Sequence, residues 1–212
     1  MRRTESHIKE AEDLDAQVLD SLYNSAKSIL NTCEKNELSA VLFTSINDAE
    51  GTLTAAAHIG YILTQLKKKV LVINMDLNNP GEPGKYFERN HDETLNDVVT
   101  KSSYLSEAIQ QTQYENYDTI NIGKIDEQHF LEILNTKDIK SKLNPLKNYY
   151  DAILIIGPEA KNFEHYSNIF ELADGTVTVS RDKTSNYKDL KRHIDKLGLF
   201  NIVSFGIIRN SK

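Results

Sequence analysis

The segment from Ala40 to Pro80 constrains this chain most, because it follows the pattern strand, loop, helix, strand. Ala40–Ser45 and Val70–Asn74 are apolar runs of strand length, and Thr52–Leu66 carries apolar residues at helical spacing. The loop before the helix closes on Gly51. Backbone N–H groups and the helix dipole point into a loop of this kind, which is the geometry that binds phosphate. The segment therefore predicts the architecture of a nucleotide site.

The rest of the chain continues the alternation of strands and helices. An amphipathic helix is predicted over Leu14–Cys33. Further strands are predicted at Thr119–Ile122, Asp151–Ile156, Gly175–Ser180 and Ile202–Ile208, and further helices at Leu95–Val99, Tyr104–Gln111, Glu127–Asn135, Lys137–Tyr149, Glu164–Leu172 and Ser185–Leu197. This order predicts an α/β fold with a single doubly wound, mainly parallel sheet flanked by helices. We expect residues 1–16 to be a flexible N-terminal segment and residues 17–212 to form the domain.

Composition narrows the classes of function. A net charge of −6 over 212 residues disfavours non-specific binding of nucleic acid, and only a basic strip from Lys183 to Arg192 is a candidate contact face. Cys33 is the single cysteine, and the histidines are scattered, so neither a disulfide nor a metal site is expected. We expect neither a signal peptide nor a membrane span, and we expect a cytoplasmic protein that a partner can recruit to the inner face of the membrane.

Several short motifs carry a resemblance that runs from about Asp20 to Asn210. Asp76-Leu77-Asn78-Asn79-Pro80 stands where a known family has D-L-R-R-P. Ala173-Asp174-Gly175 matches its A-D-G strand start, and Gly206-Ile207-Ile208-Arg209-Asn210 matches its terminal strand, G-V-V-x-N. In these motifs the chain resembles the bacterial tyrosine kinases of capsule and exopolysaccharide operons. They belong to the MinD/ParA-like branch of the P-loop ATPases. The resemblance implies a P-loop NTPase-like fold, with Asn210 close to the adenine site.

The phosphate loop departs from the pattern of that family. The family's P-G-x-G-K-[ST]-T falls on the segment from Asp48 to Thr54, so Thr52 replaces the lysine and Leu53 replaces the magnesium-holding hydroxyl. Asp48 and Glu50 add two carboxylates that would repel a polyphosphate. The loop is therefore degenerate for Mg·ATP binding.

The two aspartate motifs are also incomplete. The D-x-D motif reads Asn74-Met75-Asp76 and keeps one carboxylate, while the aspartate of the third motif falls on Ile156. Together with the changes in the loop, these replacements remove most of the charge stabilisation that phosphoryl transfer requires. No residue is therefore assigned a catalytic role, and we expect neither a metal nor a cofactor.

Five positions remain as residual nucleotide-binding candidates: Gly51, Thr52, Thr54, Asp76 and Asn210. One interpretation is weak, metal-free binding of ATP or ADP. The other is that the residues have only structural roles. In that case Gly51 turns the loop, Thr54 caps the helix and Asp76 hydrogen-bonds within its own loop.

The resemblance implies a binding or regulatory subunit without catalysis, which acts in capsular or exopolysaccharide biosynthesis. Its implied partner is a membrane-anchored polysaccharide co-polymerase (the activator) or a kinase paralogue. Two alternatives stay open: a protein-tyrosine kinase or ATPase with a rewired site, and a MinD/ParA-like positioning protein. The family's ring-assembly motif, E-x-x-R-x-x-R, reads Asp20, Tyr23 and Ala26 without either arginine. A monomer or dimer is therefore expected in place of the family's octameric ring.

Overall fold

Strand β1, Ala40–Ser45, is a central strand of the sheet and is buried along its whole length. Ala40 and Leu42 pack into the apolar cluster on one face of the sheet, and Val41 and Phe43 pack into the cluster on the other face. Helices cover both faces, which explains why the strand is a continuous apolar run. The computed structural model describes residues 16–47, 51–78, 93–101, 104–135, 137–159, 165–182 and 185–210.

The sheet is mainly parallel. The other strands are β2 (Val70–Asn74), β3 (Gln110–Gln111), β4 (Tyr117–Asn121), β5 (Ala152–Ile156), β6 (Gly175–Arg181) and β7 (Ser204–Asn210). They lie in the order β3-β4-β2-β5-β1-β6-β7, and the pair β3–β4 alone is antiparallel among them. The predicted doubly wound, mainly parallel sheet is confirmed.

Helices are divided between the two faces. Helices α1 (Ala16–Asn36) and α2 (Thr52–Gln65) contribute to one apolar cluster, and α3 (Leu95–Thr100), α4 (Glu127–Asn135), α5 (Lys137–Leu143) and α6 (Tyr187–Leu199) contribute to the other. Short 3-10 helices follow at Leu105–Ala108, Asn144–Asn148 and Ser167–Leu172. The two layers of helices enclose the sheet in the arrangement expected for a doubly wound fold.

Three predicted helices differ from the structure: Tyr104–Gln111, Lys137–Tyr149 and Glu164–Leu172, the last of which is a 3-10 helix over Ser167–Leu172 in its described part. The predicted helix Tyr104–Gln111 is wrong beyond Ala108, because the 3-10 helix stops there and Gln110 pairs with Thr119 of β4. The buried side-chain amide of Gln110 donates to the carbonyl oxygen of Glu93, which holds this strand in place. In the second case, α5 gives way to a 3-10 helix that contains Pro145, since proline removes a backbone donor from a regular α-helix.

Helix α2 is fixed over the sheet by a buried contact with β4. The hydroxyl of Tyr117, a residue with no exposed surface, donates to the carbonyl oxygen of Ala57 at 2.8 Å. Space for this hydroxyl exists because residue 60 is glycine: a Cβ atom there would lie 2.7 Å from the Tyr117 oxygen. Close packing of the helix on the sheet thus depends on Gly60 and Tyr117 together.

The two edges of the sheet are unequal. Edge strand β3 has two residues and runs antiparallel, whereas edge strand β7 has seven residues and runs parallel to β6. A register irregularity opposite Gly206, whose φ is +135°, bends β7 next to Thr176 and Val177. Strand β7 is also the least buried strand of the sheet.

Candidate functional site

The carboxyl ends of the parallel strands meet around β1. After β1 the chain crosses to β2 on one side, whereas after β5 it crosses to β6 on the other side. Loops diverge at such a reversal of strand order, and ligands of open α/β sheets bind in the crevice between them. The predicted nucleotide site lies at this crevice.

Gly51 forms the junction between the loop after β1 and helix α2. Its backbone is left-handed, with φ of +87°, and its carbonyl oxygen accepts a hydrogen bond from the Ala55 N–H at 2.9 Å. Glycine adopts this conformation without steric penalty, which confirms the prediction that Gly51 turns the loop. The prediction that Thr54 caps the helix is wrong, because Gly51 occupies the cap position without a side-chain capping bond and Thr54 lies inside the first turn.

Asn210 is the candidate residue that the fold brings to Gly51. It ends strand β7, and its backbone carbonyl accepts a hydrogen bond from the Asp182 N–H at 3.1 Å. Its side-chain amide lies so close to Gly51 that a Cβ atom on the glycine would be 2.8 Å from Nδ2. The strand at the edge of the sheet therefore reaches the mouth of the loop.

Asp76 lies on the opposite side of β1 from Asn210. Its N–H donates to Asn74 Oδ1 at 3.1 Å, and its Oδ1 accepts from the Asn78 N–H at 2.9 Å. This confirms the predicted hydrogen bond within the loop. Strand β5 separates β2 from β1, so Asp76 is displaced from the loop by two strand spacings, roughly 10 Å.

Aliphatic side chains stand at the two positions that the resemblance assigns to magnesium binding. Leu53 is 7% exposed, Ile156 has no exposed surface, and both pack in the apolar cluster beneath α1 and α2. Thr52, the first residue of α2, is half-buried, and Thr54 is exposed. Mg²⁺ requires oxygen ligands in octahedral geometry, which two buried aliphatic side chains cannot supply.

The donor set therefore does not fit a magnesium–nucleotide complex. Within the described ranges, no cluster of histidine, cysteine and carboxylate side chains could hold a metal ion. Asp48 and Glu50, the two predicted repelling carboxylates, fall outside the described residues. What the described site retains is a helix N-terminus, a glycine turn and polar side chains on either side of β1.

Two hydrogen bonds at this edge were not predicted from the sequence. The buried Thr44 hydroxyl donates to the Pro158 carbonyl oxygen at 3.1 Å, and the Asn47 amide donates to Ser185 Oγ at 2.9 Å. The first joins the ends of β1 and β5, and the second joins the loop after β1 to the segment that precedes α6. Both involve isolated polar residues in loops or at strand ends, where no spacing pattern identifies a partner.

Comparisons with known proteins agree with this fold. Residues 48–195 match the AAA domain family. The tyrosine-protein kinase YwqD of Bacillus subtilis is 26% identical over 176 residues, which cover 83% of this chain and 73% of YwqD. The kinase domain of Escherichia coli tyrosine kinase ETK has a TM-score of 0.85 at 18% identity, covering 100% of this chain and 82% of that domain.

A more distant neighbour shares the fold. The septum site-determining protein MinD of Pyrococcus horikoshii, solved with Mg-ADP, has a TM-score of 0.63 at 22% identity, covering 81% of this chain and 70% of that chain. The fold is thus that of P-loop NTPases, in agreement with the sequence-based expectation. Leu53 and Ile156 of this chain are buried in the apolar cluster and do not line the crevice.

Proposed function

This chain belongs to the AAA domain family, in which it is a relative of the bacterial tyrosine kinases, and from that premise we propose that it has lost phosphoryl transfer. In this proposal it acts as a binding or regulatory subunit in capsular or exopolysaccharide biosynthesis. It does not catalyse a reaction but binds a partner through a surface similar to that of a kinase domain.

The observation that supports the proposal is the buried pair Leu53 and Ile156. The resemblance implies that both positions serve the magnesium ion, but both side chains are packed in the same apolar cluster. Each electrostatic contact in a phosphoryl-transfer site is worth about 3 kcal/mol in the transition state, by analogy with the removal of a single oxyanion-hole donor. Loss of the hydroxyl, the lysine and the third carboxylate therefore removes the main source of rate enhancement.

The partner in this proposal is a membrane-anchored activator of the polysaccharide co-polymerase type, or a kinase paralogue. The main support is the similarity of the whole fold to a tyrosine-kinase domain, since a surface shared with such domains could bind the same kind of partner. Residual nucleotide binding through Gly51, Thr54 and Asn210 belongs to the same proposal as a weak, metal-independent activity. Such binding would regulate the contact without turnover.

The first experiment is calorimetric titration of ATP and ADP, with and without Mg²⁺, together with an assay of phosphate release on the same sample. We expect no Mg²⁺-dependent binding and no turnover. Turnover by the native chain that Asp76→Ala abolishes would contradict the proposal, since it would require a site rebuilt around the remaining carboxylate.

A gain-of-function variant makes the test sharper. Thr52→Lys combined with Leu53→Thr restores the implied lysine and hydroxyl, and we expect it to bind ATP more tightly than the native chain. Asn36→Lys adds the same charge at the exposed end of α1 and serves as the matched control. An equal gain in both variants would reflect net charge alone, and no gain in the double variant would contradict the assignment of the loss to these two residues.

A further inference from the structure

Helix α6 carries a basic surface that the proposed function does not use. Its outer side is formed by Tyr187, Lys188, Lys191, Arg192, Asp195, Lys196 and Leu199, which we call the α6 stripe. The inner side is anchored by buried His193 and Leu197. Residues three and four positions apart share one side of a helix, so the four cations of the stripe form a single surface.

The stripe is locally positive on a chain whose net charge is −6. Its only carboxylate is Asp195, while Asp189, on the flank of the same helix, pairs with Arg192 at 3.3 Å. Lys188 and Lys191 are exposed and form no ion pair or hydrogen bond within the described part of the chain. Two cations are therefore available to an external anion without breaking an internal pair.

Apolar side chains continue the stripe at its carboxyl end. Leu199 is 81% exposed, and Phe200 and Val203, which follow it, are 51% and 54% exposed. The carboxylates that line the adjacent cavity of about 340 Å³ are neutralised internally: Glu171 pairs with Lys140 at 3.5 Å and Asp174 pairs with Lys147 at 2.6 Å. The carboxylates nearest to these exposed apolar side chains are therefore ion-paired, and they should not repel an anionic surface.

We infer that the α6 stripe is a contact surface for an anionic lipid bilayer. Lysine and arginine next to exposed aliphatic and aromatic side chains is the composition of elements that lie at the headgroup boundary. Tyr187, 78% exposed at the start of the helix, adds an amphipathic ring of the kind enriched at that boundary. No described helix is long and apolar enough to cross a membrane, so the contact is peripheral.

The shape of the stripe favours a lipid surface over an acidic protein segment. All the residues of the stripe belong to one helix, and no other described element contributes a side chain to this surface. Peptides are bound in grooves between elements or along open strand edges, where backbone and side chains are enclosed. A basic surface on a single helix, without such a groove, can lie against an extended anionic plane. This contact goes beyond the proposed function and does not depend on whether nucleotide binds.

Co-sedimentation of the full chain with vesicles tests the inference. We expect binding to vesicles of equal parts phosphatidylserine and phosphatidylcholine, no binding to pure phosphatidylcholine, and release as salt is raised. Each lysine near an anionic surface contributes about five-fold in partitioning, so Lys188→Gln with Lys191→Gln should lower binding by more than about ten-fold. Leu199→Ser, made in the native chain, should also lower binding to these vesicles, but it should leave the salt dependence of binding unchanged.

The matched control removes the same charge elsewhere. Lys35→Gln with Lys124→Gln changes two exposed lysines outside α6 and should retain native binding. Equal loss in both double variants, or equal binding to both kinds of vesicle, would overturn the inference. Absence of vesicle binding combined with binding of poly-glutamate that depends on Lys188 and Lys191 would assign the stripe to an acidic protein partner instead. None of these results bears on nucleotide turnover, so the two proposals fail independently.

Discussion

The side-chain amide of Asn210 lies directly against the α-carbon of Gly51, where it fills the space that any larger residue would need. The glycine combines this contact with a left-handed backbone, φ +87°. The last strand of the sheet and the first turn of α2 are therefore coupled at the mouth of the candidate site.

Gly51→Ala should destabilise the protein by about 1–2 kcal/mol for the left-handed conformation alone, with a further loss from the contact with Asn210. Urea denaturation measures the change. In an Asn210→Ala background the same substitution should show a smaller loss, because the close neighbour is gone. Equal losses in both backgrounds would mean that the contact carries no energy.

Ile156→Asp restores the carboxylate implied for the third motif, but it places the charge in an apolar cluster. We expect a loss of about 3–5 kcal/mol at neutral pH, since an unpaired buried charge is not compensated. Burial raises the folded-state pKa of such a carboxyl above its unfolded value, so the loss should be smaller near pH 4 and grow as pH rises. Ile156→Val, expected to lose about 1 kcal/mol, is the control. A loss below that of the valine variant would show that the site accepts polar groups.

Gly60 and Tyr117 should behave as a coupled pair. Gly60→Ala places a methyl group 2.7 Å from the tyrosine oxygen and should destabilise by about 1–3 kcal/mol, and Tyr117→Phe should destabilise by about 1 kcal/mol. The double variant should lose less than both combined, as a double-mutant cycle measures. Gly198, also helical but with open space around it, should accept alanine without loss. Strict additivity for Gly60 and Tyr117 would contradict the coupling.

Asp174 should contribute stability that acid removes. Burial acts to raise the pKa of its carboxyl, but hydrogen bonds from Lys147 and from the N–H groups of Ala40 and Ser39 outweigh it and hold the pKa below its ordinary value. A lowered folded-state pKa gives stability that is present above the unfolded pKa and lost as pH falls through the folded pKa.

Asp174→Asn should therefore lose about 1–3 kcal/mol at neutral pH and less near pH 3, measured by urea denaturation at both values. Asp182→Asn removes a comparable carboxylate, which pairs with Arg209 at the surface at 2.6 Å, and should lose at most about 1 kcal/mol. A similar loss in the two variants, or a loss at Asp174 that does not change with pH, would contradict the role assigned to the hydrogen bonds that the Asp174 carboxylate accepts.

How far the sequence predicts this protein depends on the kind of signal. The continuous apolar runs of β1, β2 and β5 are typical of strands that are buried on both faces of a sheet. Their predicted bounds agree with the structure to within a residue. Strand β3 was missed because a two-residue strand has no periodicity and depends on pairing with a distant segment. Local composition cannot specify such long-range pairing.

The candidate site shows the same limit. The resemblance predicts that the lysine and magnesium positions are replaced, and the residues themselves predict the glycine turn. The cap assigned to Thr54 was wrong because a left-handed glycine already begins the helix, an arrangement that depends on backbone angles. The bonds from Thr44 and Asn47 depend on residues more than a hundred positions away, which only the folded sheet brings within reach.

The unequal edges of the sheet limit how copies of this chain can assemble. A fibril built by strand addition needs two open edges on every subunit, one to receive a neighbour and one to present to the next. In the described sheet, one end is a two-residue antiparallel strand and the other a seven-residue strand with a bend. Strand addition through β7 would therefore end after two subunits, so the unequal edges disfavour growth of a fibril by this route.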